Sequence, residues 1–116
     1  MNFDDYQRLA ISTAIYPEEY KIIYPTLGLC GESGEVAEKI KKHIRDGKSF
    51  NGLKKELGDV LWYIAALAED LDISLQDVAE LNIQKLSDRK ARNVISGDGD
   101  NRESRRISCL PTLSCN

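Results

Sequence analysis

Hydrophobic positions recur along this chain every three or four residues, the spacing that places them on one face of an α-helix. They define four segments, 4–15, 26–45, 53–71 and 75–93, the first of which ends near a proline. The third segment has the strongest hydrophobic stripe, formed by Leu53, Leu57, Val60, Ile64, Leu67 and Leu71. No stretch keeps the two-residue alternation of a β-strand, so the sequence predicts an all-α fold, a bundle of four to five helices.

The composition changes after Ser96. Residues 97–102 are rich in Gly, Asp and Asn, which favour turns, and the remainder has few hydrophobic anchors. A chain of 116 residues is long enough for one small domain. We therefore predict one helical domain over 1–96 and an irregular or flexible tail over 97–116.

Charge and composition argue against several classes of protein. A net charge of −3 and a pI near 5.2 argue against a surface that binds nucleic acid or an anionic membrane. No hydrophobic run approaches the roughly 18 residues that a membrane span requires, and the N-terminus lacks the regions of a signal peptide. The three cysteines are odd in number and form no zinc-type pairing. We therefore expect a cytoplasmic protein without nucleic-acid or membrane partners.

Two acidic pairs interrupt the hydrophobic pattern of the central helices. Glu32 and Glu35 are three residues apart in the second helix, and Glu56 and Asp59 repeat that spacing in the third. Three residues along a helix correspond to about 300° of rotation, so each pair projects from one face, beside the hydrophobic arc. Carboxylates this close repel unless a cation lies between them, and Mg²⁺ prefers carboxylate oxygens. The two pairs therefore predict a metal site in the groove between the two helices.

Glu38 and Trp62 are weaker candidates, each with a plainer alternative. Glu38 continues the spiral of the first acidic pair but faces away from the hydrophobic arc. It is either an outer ligand or, as is commoner for such a residue, a solvated partner of Lys41 or Lys42. Trp62 projects away from the leucine stripe. It either stacks on a nucleobase or, more commonly for a lone tryptophan, packs in the fold or at a subunit interface.

Tyr63 and three residues of the fourth helix complete the candidate site. Tyr63 lies beside the second acidic pair, where it either reaches a ligand or is a boundary aromatic with a solvated hydroxyl. Asn82 falls within the hydrophobic face of the fourth helix, and Lys85 and Arg89 flank that face four residues apart. A buried Asn needs hydrogen bonds, and cations beside a core need anions. They either neutralise the carboxylates directly or hold a phosphorylated ligand that a metal bridges to them.

The combined pattern resembles the motif of the MazG-like all-α nucleoside triphosphate pyrophosphohydrolases. Its core is the two acidic pairs with twenty residues between them. The flanking segments 29–36 and 56–63 agree with that motif, and 82–89 resembles the segment that closes the site in the family. The resemblance covers about residues 1–102.

This resemblance implies an enzyme that cleaves a nucleoside or deoxynucleoside triphosphate between its α and β phosphates, giving a nucleoside monophosphate and pyrophosphate. It implies dependence on Mg²⁺, for which Mn²⁺ substitutes, and a homodimer or dimer of dimers. The resemblance assigns metal binding and catalysis to four residues: Glu32, Glu35, Glu56 and Asp59. Glu35 is the candidate that orients or deprotonates the attacking water. It assigns contacts with the phosphates or the sugar of the substrate to Tyr63, Asn82, Lys85 and Arg89.

Two other functions fit the sequence less well. One is phosphoribosyl-ATP pyrophosphohydrolase, which shares the helical architecture but matches the segment 82–89 less closely. The other is a non-enzymatic interaction module whose acidic pairs are hydrated or neutralised by a partner's basic residues. Within the enzymatic interpretation, removal of damaged nucleotides, control of deoxynucleotide pools and nucleotide signalling all remain open.

Overall fold

A computed structural model describes residues 1–93, and the regular secondary structure within them is helical. This part of the chain contains four α-helices and one short 3₁₀-helix: α1 (Phe3–Ile11), the 3₁₀-helix (Glu18–Tyr20), α2 (Ile23–Asp46), α3 (Leu53–Asp70) and α4 (Leu75–Ala91). The described residues contain no strand, which confirms the predicted all-α fold. Among these helices, none combines the length and hydrophobicity that crossing a bilayer requires.

The chain divides into two compact units. The first, Met1–Gln76, contains α1, α2, α3 and the beginning of α4. The second begins at Asp77 and contains the rest of α4. The predicted domain end at residue 96 and the predicted tail 97–116 lie outside the described residues.

Helix α1 begins with a capping box and ends earlier than predicted. The Asn2 side chain accepts a hydrogen bond from the Asp5 backbone at 2.8 Å, and the Asp5 carboxylate accepts one from the Asn2 backbone. The helix ends at Ile11, where the hydroxyls of Ser12 and Thr13 donate to backbone carbonyls three residues earlier at 2.5 and 2.6 Å. Such side chains compete with the helical hydrogen bonds, so α1 ends before the proline that was expected to stop it.

Helix α2 begins at Ile23, three residues before its predicted start, with Pro25 in its first turn. Proline is tolerated there because a first-turn N–H has no partner within the helix. The preceding residue, Ile22, has φ 69°, which is rare for a β-branched side chain. The Ile23 N–H donates to the Lys21 carbonyl at 2.7 Å, which closes a strained γ-turn. The Ile22 N–H donates to Asp70 at 2.9 Å, so α3 holds this turn in place.

Helix α2 ends at Asp46, one residue after its predicted end. Gly47 follows in the left-handed region, with φ 67°, and its N–H donates to the His43 carbonyl at 2.9 Å. Helix α3 then begins after Gly52, which also has a positive φ, of 94°.

The core of the first unit lies between α1 and α3 and is built around alanines. Ala65 and Ala66 are fully buried and Ala68 is 6 % exposed. The leucine stripe was expected to form the buried face of α3, but Leu57 is 58 % exposed and Leu71 is 46 % exposed. This expectation was wrong, because alanines and not leucines occupy the centre of the buried face. Small alanine side chains let the backbone of a neighbouring helix approach closely, and large side chains then lie at the margin.

A buried glutamine fixes α1 against the end of α3. The Gln7 side chain donates to the Glu69 carboxylate at 2.9 Å and to the Ile73 carbonyl at 3.0 Å. Its amide oxygen accepts a hydrogen bond from the Leu75 N–H at 2.7 Å. Gln7 is 6 % exposed, and these three bonds compensate the cost of burying its amide.

Candidate metal centre

Three carboxylates from α2 and α3 converge at one place in the first unit. Glu32 lies on α2, and Glu56 and Asp59 lie one turn apart on α3, which packs along α2. One oxygen from each lies within 4.8 Å of the others. Glu32 and Glu56 are half-buried and Asp59 is exposed. We call these residues the carboxylate cluster; it contains three of the four ligands predicted from the sequence.

The other two acidic candidates of α2 lie outside this cluster. Glu35 is exposed and does not share the set of oxygens within 4.8 Å, although its charge contributes to raising the pKa of Glu32. Glu38 forms an ion pair with Lys41 at 3.0 Å, and this pairing lowers the pKa of the Glu38 carboxyl. Glu38 is therefore the solvated partner of Lys41, the plainer of its two alternatives.

The carboxylate cluster is electrostatically unfavourable when it holds no cation. Desolvation raises the pKa of Glu32 above its ordinary value, and the charges of Asp59 and Glu56 raise it further. Glu32 and Glu56 lie within hydrogen-bonding reach of each other, so a proton shared between them relieves the repulsion. A divalent cation does the same without a proton.

The raised pKa of Glu32, caused first by desolvation and then by the neighbouring charges, predicts a pH-dependent stability in the absence of metal. The folded protein holds a proton on Glu32 more tightly than the unfolded chain does, so this residue makes the free energy of unfolding fall as pH rises from about 4 through the raised pKa. The Glu32→Gln variant should lack this contribution, and its stability advantage over the wild type should grow across that interval. Urea unfolding in EDTA at several pH values measures the difference. Parallel curves would contradict the prediction, whereas saturating Mg²⁺ should reduce the advantage.

A lysine and a tyrosine that the sequence pattern did not indicate also lie near the cluster. The Lys39 ammonium is 3.7 Å from a Glu56 oxygen. Lys39 is seven residues after Glu32, about two helical turns, and that spacing was the available signal. Tyr6 of α1 has a hydroxyl whose pKa is raised by burial and by the charge of Asp59. Its position depends on how α1 packs on α3, which no local spacing reveals.

The Tyr63 ring packs directly against α2 at Gly28. A Cβ atom at Gly28 of α2 would overlap the Tyr63 ring, so the ring occupies space that only glycine leaves open. Burial raises the pKa of the Tyr63 hydroxyl, the neighbouring Tyr24 hydroxyl raises it further, and the charges of Glu32 and Asp59 contribute. The Tyr63 hydroxyl therefore stays protonated at neutral pH, as a hydrogen-bond donor beside the acidic groups.

Trp62 packs against α1. Its indole N–H donates to the Thr13 hydroxyl at 2.9 Å and to the Ala10 carbonyl at 3.2 Å. Its ring meets Tyr63 edge-on, with 5.0 Å between the ring centroids. These contacts support the packing alternative for Trp62.

The candidates on α4 belong to the second unit. Arg89 is buried, at 5 % exposure, Lys85 is half-buried, and Asn82 is exposed. Asn82 was expected within a buried hydrophobic face, and this expectation was wrong. The face is buried at Leu75, which is 4 % exposed, but not around Asn82, where Val78 and Leu86 are 42 % and 40 % exposed. The roles of Asn82, Lys85 and Arg89 toward a substrate stay predictions.

The donor set of the cluster fits a hard divalent cation. All three groups are carboxylates, the ligands that Mg²⁺ and Mn²⁺ favour, and no thiol or imidazole belongs to the set. Oxygens on opposite sides of one Mg²⁺ lie about 4.2 Å apart, twice the metal–oxygen distance, and the observed separation of up to 4.8 Å is close to that limit. The groups could therefore hold one ion after small side-chain movements.

Fold and site together define an all-α protein with a carboxylate cluster between two central helices. Residues 25–94 match the family model of the MazG nucleotide pyrophosphohydrolase domain. The chain is also 46 % identical over 114 residues to the Gene 37 protein of Mycobacterium phage L5, an alignment that covers 88 % of this chain and 100 % of the phage protein. No solved structure matches the chain significantly. The chain therefore belongs to the MazG nucleotide pyrophosphohydrolase family, whose all-α fold it shares.

Proposed function

We propose that this protein is a Mg²⁺-dependent nucleoside triphosphate pyrophosphohydrolase. It cleaves a nucleoside or deoxynucleoside triphosphate to a nucleoside monophosphate and pyrophosphate, and Mn²⁺ substitutes for Mg²⁺. The observation that carries the proposal is the convergence of Glu32, Glu56 and Asp59 from two helices in a chain of the MazG family. An isolated acidic patch would not support it, because exposed carboxylates are common without a bound ion.

The carboxylate cluster and the neighbouring Glu35 divide the chemistry between metal binding and activation of water. When bound, a divalent cation offsets the charge of the triphosphate and supplies a hydroxide-like nucleophile. Glu32, Glu56 and Asp59 would hold it. Glu35 lies outside the set, so its carboxylate is available to orient or deprotonate the attacking water. We assign that role to Glu35.

The remaining candidates are assigned to the substrate. The protonated Tyr63 hydroxyl can donate a hydrogen bond to a phosphate oxygen beside the cluster. We assign Lys85 and Arg89 to positive charge toward the substrate phosphates, and Asn82 to an amide contact with the sugar or a phosphate. Phosphoryl-type transfer depends mainly on positioning and charge neutralisation, which these side chains can provide without a covalent intermediate.

A nucleotide panel tests the proposed activity. Wild-type protein with Mg²⁺ or Mn²⁺ is expected to release pyrophosphate from at least one nucleoside or deoxynucleoside triphosphate, with the monophosphate as the second product, and EDTA should stop the release. Release of inorganic phosphate and a diphosphate would show a different bond being cleaved. A panel that includes deaminated and modified bases and gives no metal-dependent turnover would overturn the enzymatic function.

The same panel separates the alternatives. Turnover of phosphoribosyl-ATP alone would identify the histidine-biosynthesis activity. A non-enzymatic interaction module should show neither turnover nor binding of Mg²⁺ and nucleotide in calorimetry.

We also propose that the protein assembles as a homodimer or dimer of dimers. Large hydrophobic side chains of the central helices are exposed on the single chain: Leu27 68 %, Ile44 79 % and Leu57 58 %. A second copy of this chain would cover such positions and would help to enclose a nucleotide that short helices do not enclose alone. Light scattering that finds only the 13.0 kDa monomer at micromolar concentration would contradict this assembly.

A further inference from the structure

A lysine of α2 lies at the edge of the carboxylate cluster. The Lys39 ammonium is 3.7 Å from a Glu56 oxygen, and a Cβ atom added at Gly52 would lie 3.7 Å from the same nitrogen. Gly52 and Glu56 are one helical turn apart, and Gly52 immediately precedes α3. The ammonium therefore lies along the first turn of α3, next to the groove in which the carboxylates converge.

The contact between Lys39 and Glu56 is an ion pair without a hydrogen bond. Its 3.7 Å separation exceeds the 2.7–2.9 Å that is typical of a charge-assisted hydrogen bond. On the same helix, Lys41 approaches Glu38 to 3.0 Å. The Lys39 side chain is 38 % exposed and has a flexible four-carbon stem. Its ammonium can therefore leave Glu56 without breaking a hydrogen bond between the two residues.

The balance of charge around the cluster changes when a cation binds. The three carboxylates carry three negative charges when ionised, and one divalent cation leaves one of them uncompensated. The cation would also repel the Lys39 ammonium and weaken the attraction of Glu56 for it. A triphosphate then brings several negative charges to the same place. Its oxygens become the stronger partner for the ammonium.

We propose that Lys39 is a substrate-binding residue with two partners. Its ammonium pairs with Glu56 in the metal-free site, and it binds a phosphate oxygen of the triphosphate once a divalent cation occupies the cluster. The proposal rests on the proposed function and adds a cation from α2 to the candidates on α4. A lysine ammonium is a mobile point charge that commonly binds phosphate, which suits a group that changes partners.

The Lys39→Met variant tests this role, because it keeps most of the hydrophobic stem and removes the charge. Calorimetry without nucleotide, at a mildly alkaline pH where the carboxylates are ionised, should show Mg²⁺ binding about 2- to 10-fold more tightly, since a like charge near the ion is gone. In the pyrophosphate-release assay, KM for the nucleotide should rise by about 10- to 100-fold, the range of a hydrogen bond to a charged group. The kcat should change by less than about threefold, as expected for a contact made equally in the ground and transition states.

Matched variants separate this local effect from a general change in charge. Lys39→Arg keeps the positive charge and should bind Mg²⁺ as the wild type does, with a smaller rise in KM than Lys39→Met. Lys41→Met removes the same charge from the same helix, at a lysine that pairs with Glu38 outside the cluster. It should leave both Mg²⁺ affinity and KM within about twofold of the wild type. If Lys39→Met is unstable in urea unfolding, Lys39→Gln provides the same neutral side chain test.

The opposite movement of the two affinities is the result that a merely structural role would not give. If Lys39→Met weakens both Mg²⁺ and nucleotide binding, Lys39 only maintains the shape of the site and the proposal is wrong. If Mg²⁺ binds more tightly but KM is unchanged, Lys39 is only a counter-ion of Glu56, and the proposal is again wrong. In both cases an active wild type leaves the proposed function intact. A wild type that turns over no nucleotide would overturn the proposed function, and the substrate role of Lys39 with it.

Discussion

Asp59→Asn is expected to abolish measurable pyrophosphate release, with a loss in kcat of at least about 100-fold, since even residues that only support metal ligands cost 10- to 100-fold. Asparagine has nearly the same shape as aspartate, but it removes one of the three charges that would hold the cation. Magnesium affinity, measured by calorimetry, should fall together with activity. The stability of the metal-free variant should rise above that of the wild type, because the charge of Asp59 is one of those that repel the Glu32 carboxylate and raise its pKa.

Two isosteric variants on α2 serve as controls for this result. Glu38→Gln should change kcat by less than about twofold, because Glu38 pairs with Lys41 in a solvated ion pair, an interaction of small energy. Glu35→Gln should lower kcat strongly but leave magnesium affinity near that of the wild type, as expected for a base outside the ligand set. Loss of magnesium binding in Glu35→Gln would instead make Glu35 a fourth ligand. An Asp59→Asn variant with full activity would exclude the carboxylate cluster as the metal site.

Gly28→Ala is expected to destabilise the protein by about 1–3 kcal/mol, the usual cost of overpacking. Its added Cβ would overlap the Tyr63 ring. The sign of this change in stability is informative, because replacing a glycine inside a helix by alanine ordinarily stabilises the helix by roughly 0.5–1 kcal/mol. Gly34→Ala, on the same helix with no atom within 4 Å of the new Cβ, should show that ordinary gain. Urea unfolding measures both variants.

The catalytic consequence of Gly28→Ala should follow from Tyr63. Displacing the ring moves its hydroxyl from the cluster, so kcat should fall by about 10- to 100-fold, as expected for a misplaced group. In a Tyr63→Ala background the space is open, and Gly28→Ala should then cost little stability. Equal destabilisation in both backgrounds would show that the contact with Tyr63 is not the cause.

Sequence patterns within each segment predict most of the helices. The spacing of hydrophobic residues predicted four helices, and α2 ends within one residue of its predicted end. The errors fall where a side chain competes with the backbone or where a distant residue intervenes. Ser12 and Thr13 end α1 early through their own hydrogen bonds, and Asp70 helps to start α2 at Ile23, through a turn that its neighbours would not adopt unaided.

The sequence by itself determined the acidic pairs and their placement beside the hydrophobic arcs, because both depend on rotation per residue along one helix. The packing of α2 on α3 decided which oxygens converge, and it left Glu35 outside the cluster and brought Lys39 to Glu56. The tertiary structure also decided the buried face of α3, where close helix packing favours alanine over leucine, and the contacts of Asp70 with Tyr16 and Ile22. These features join residues far apart in the chain, so the contact itself, and no spacing along one helix, determines them.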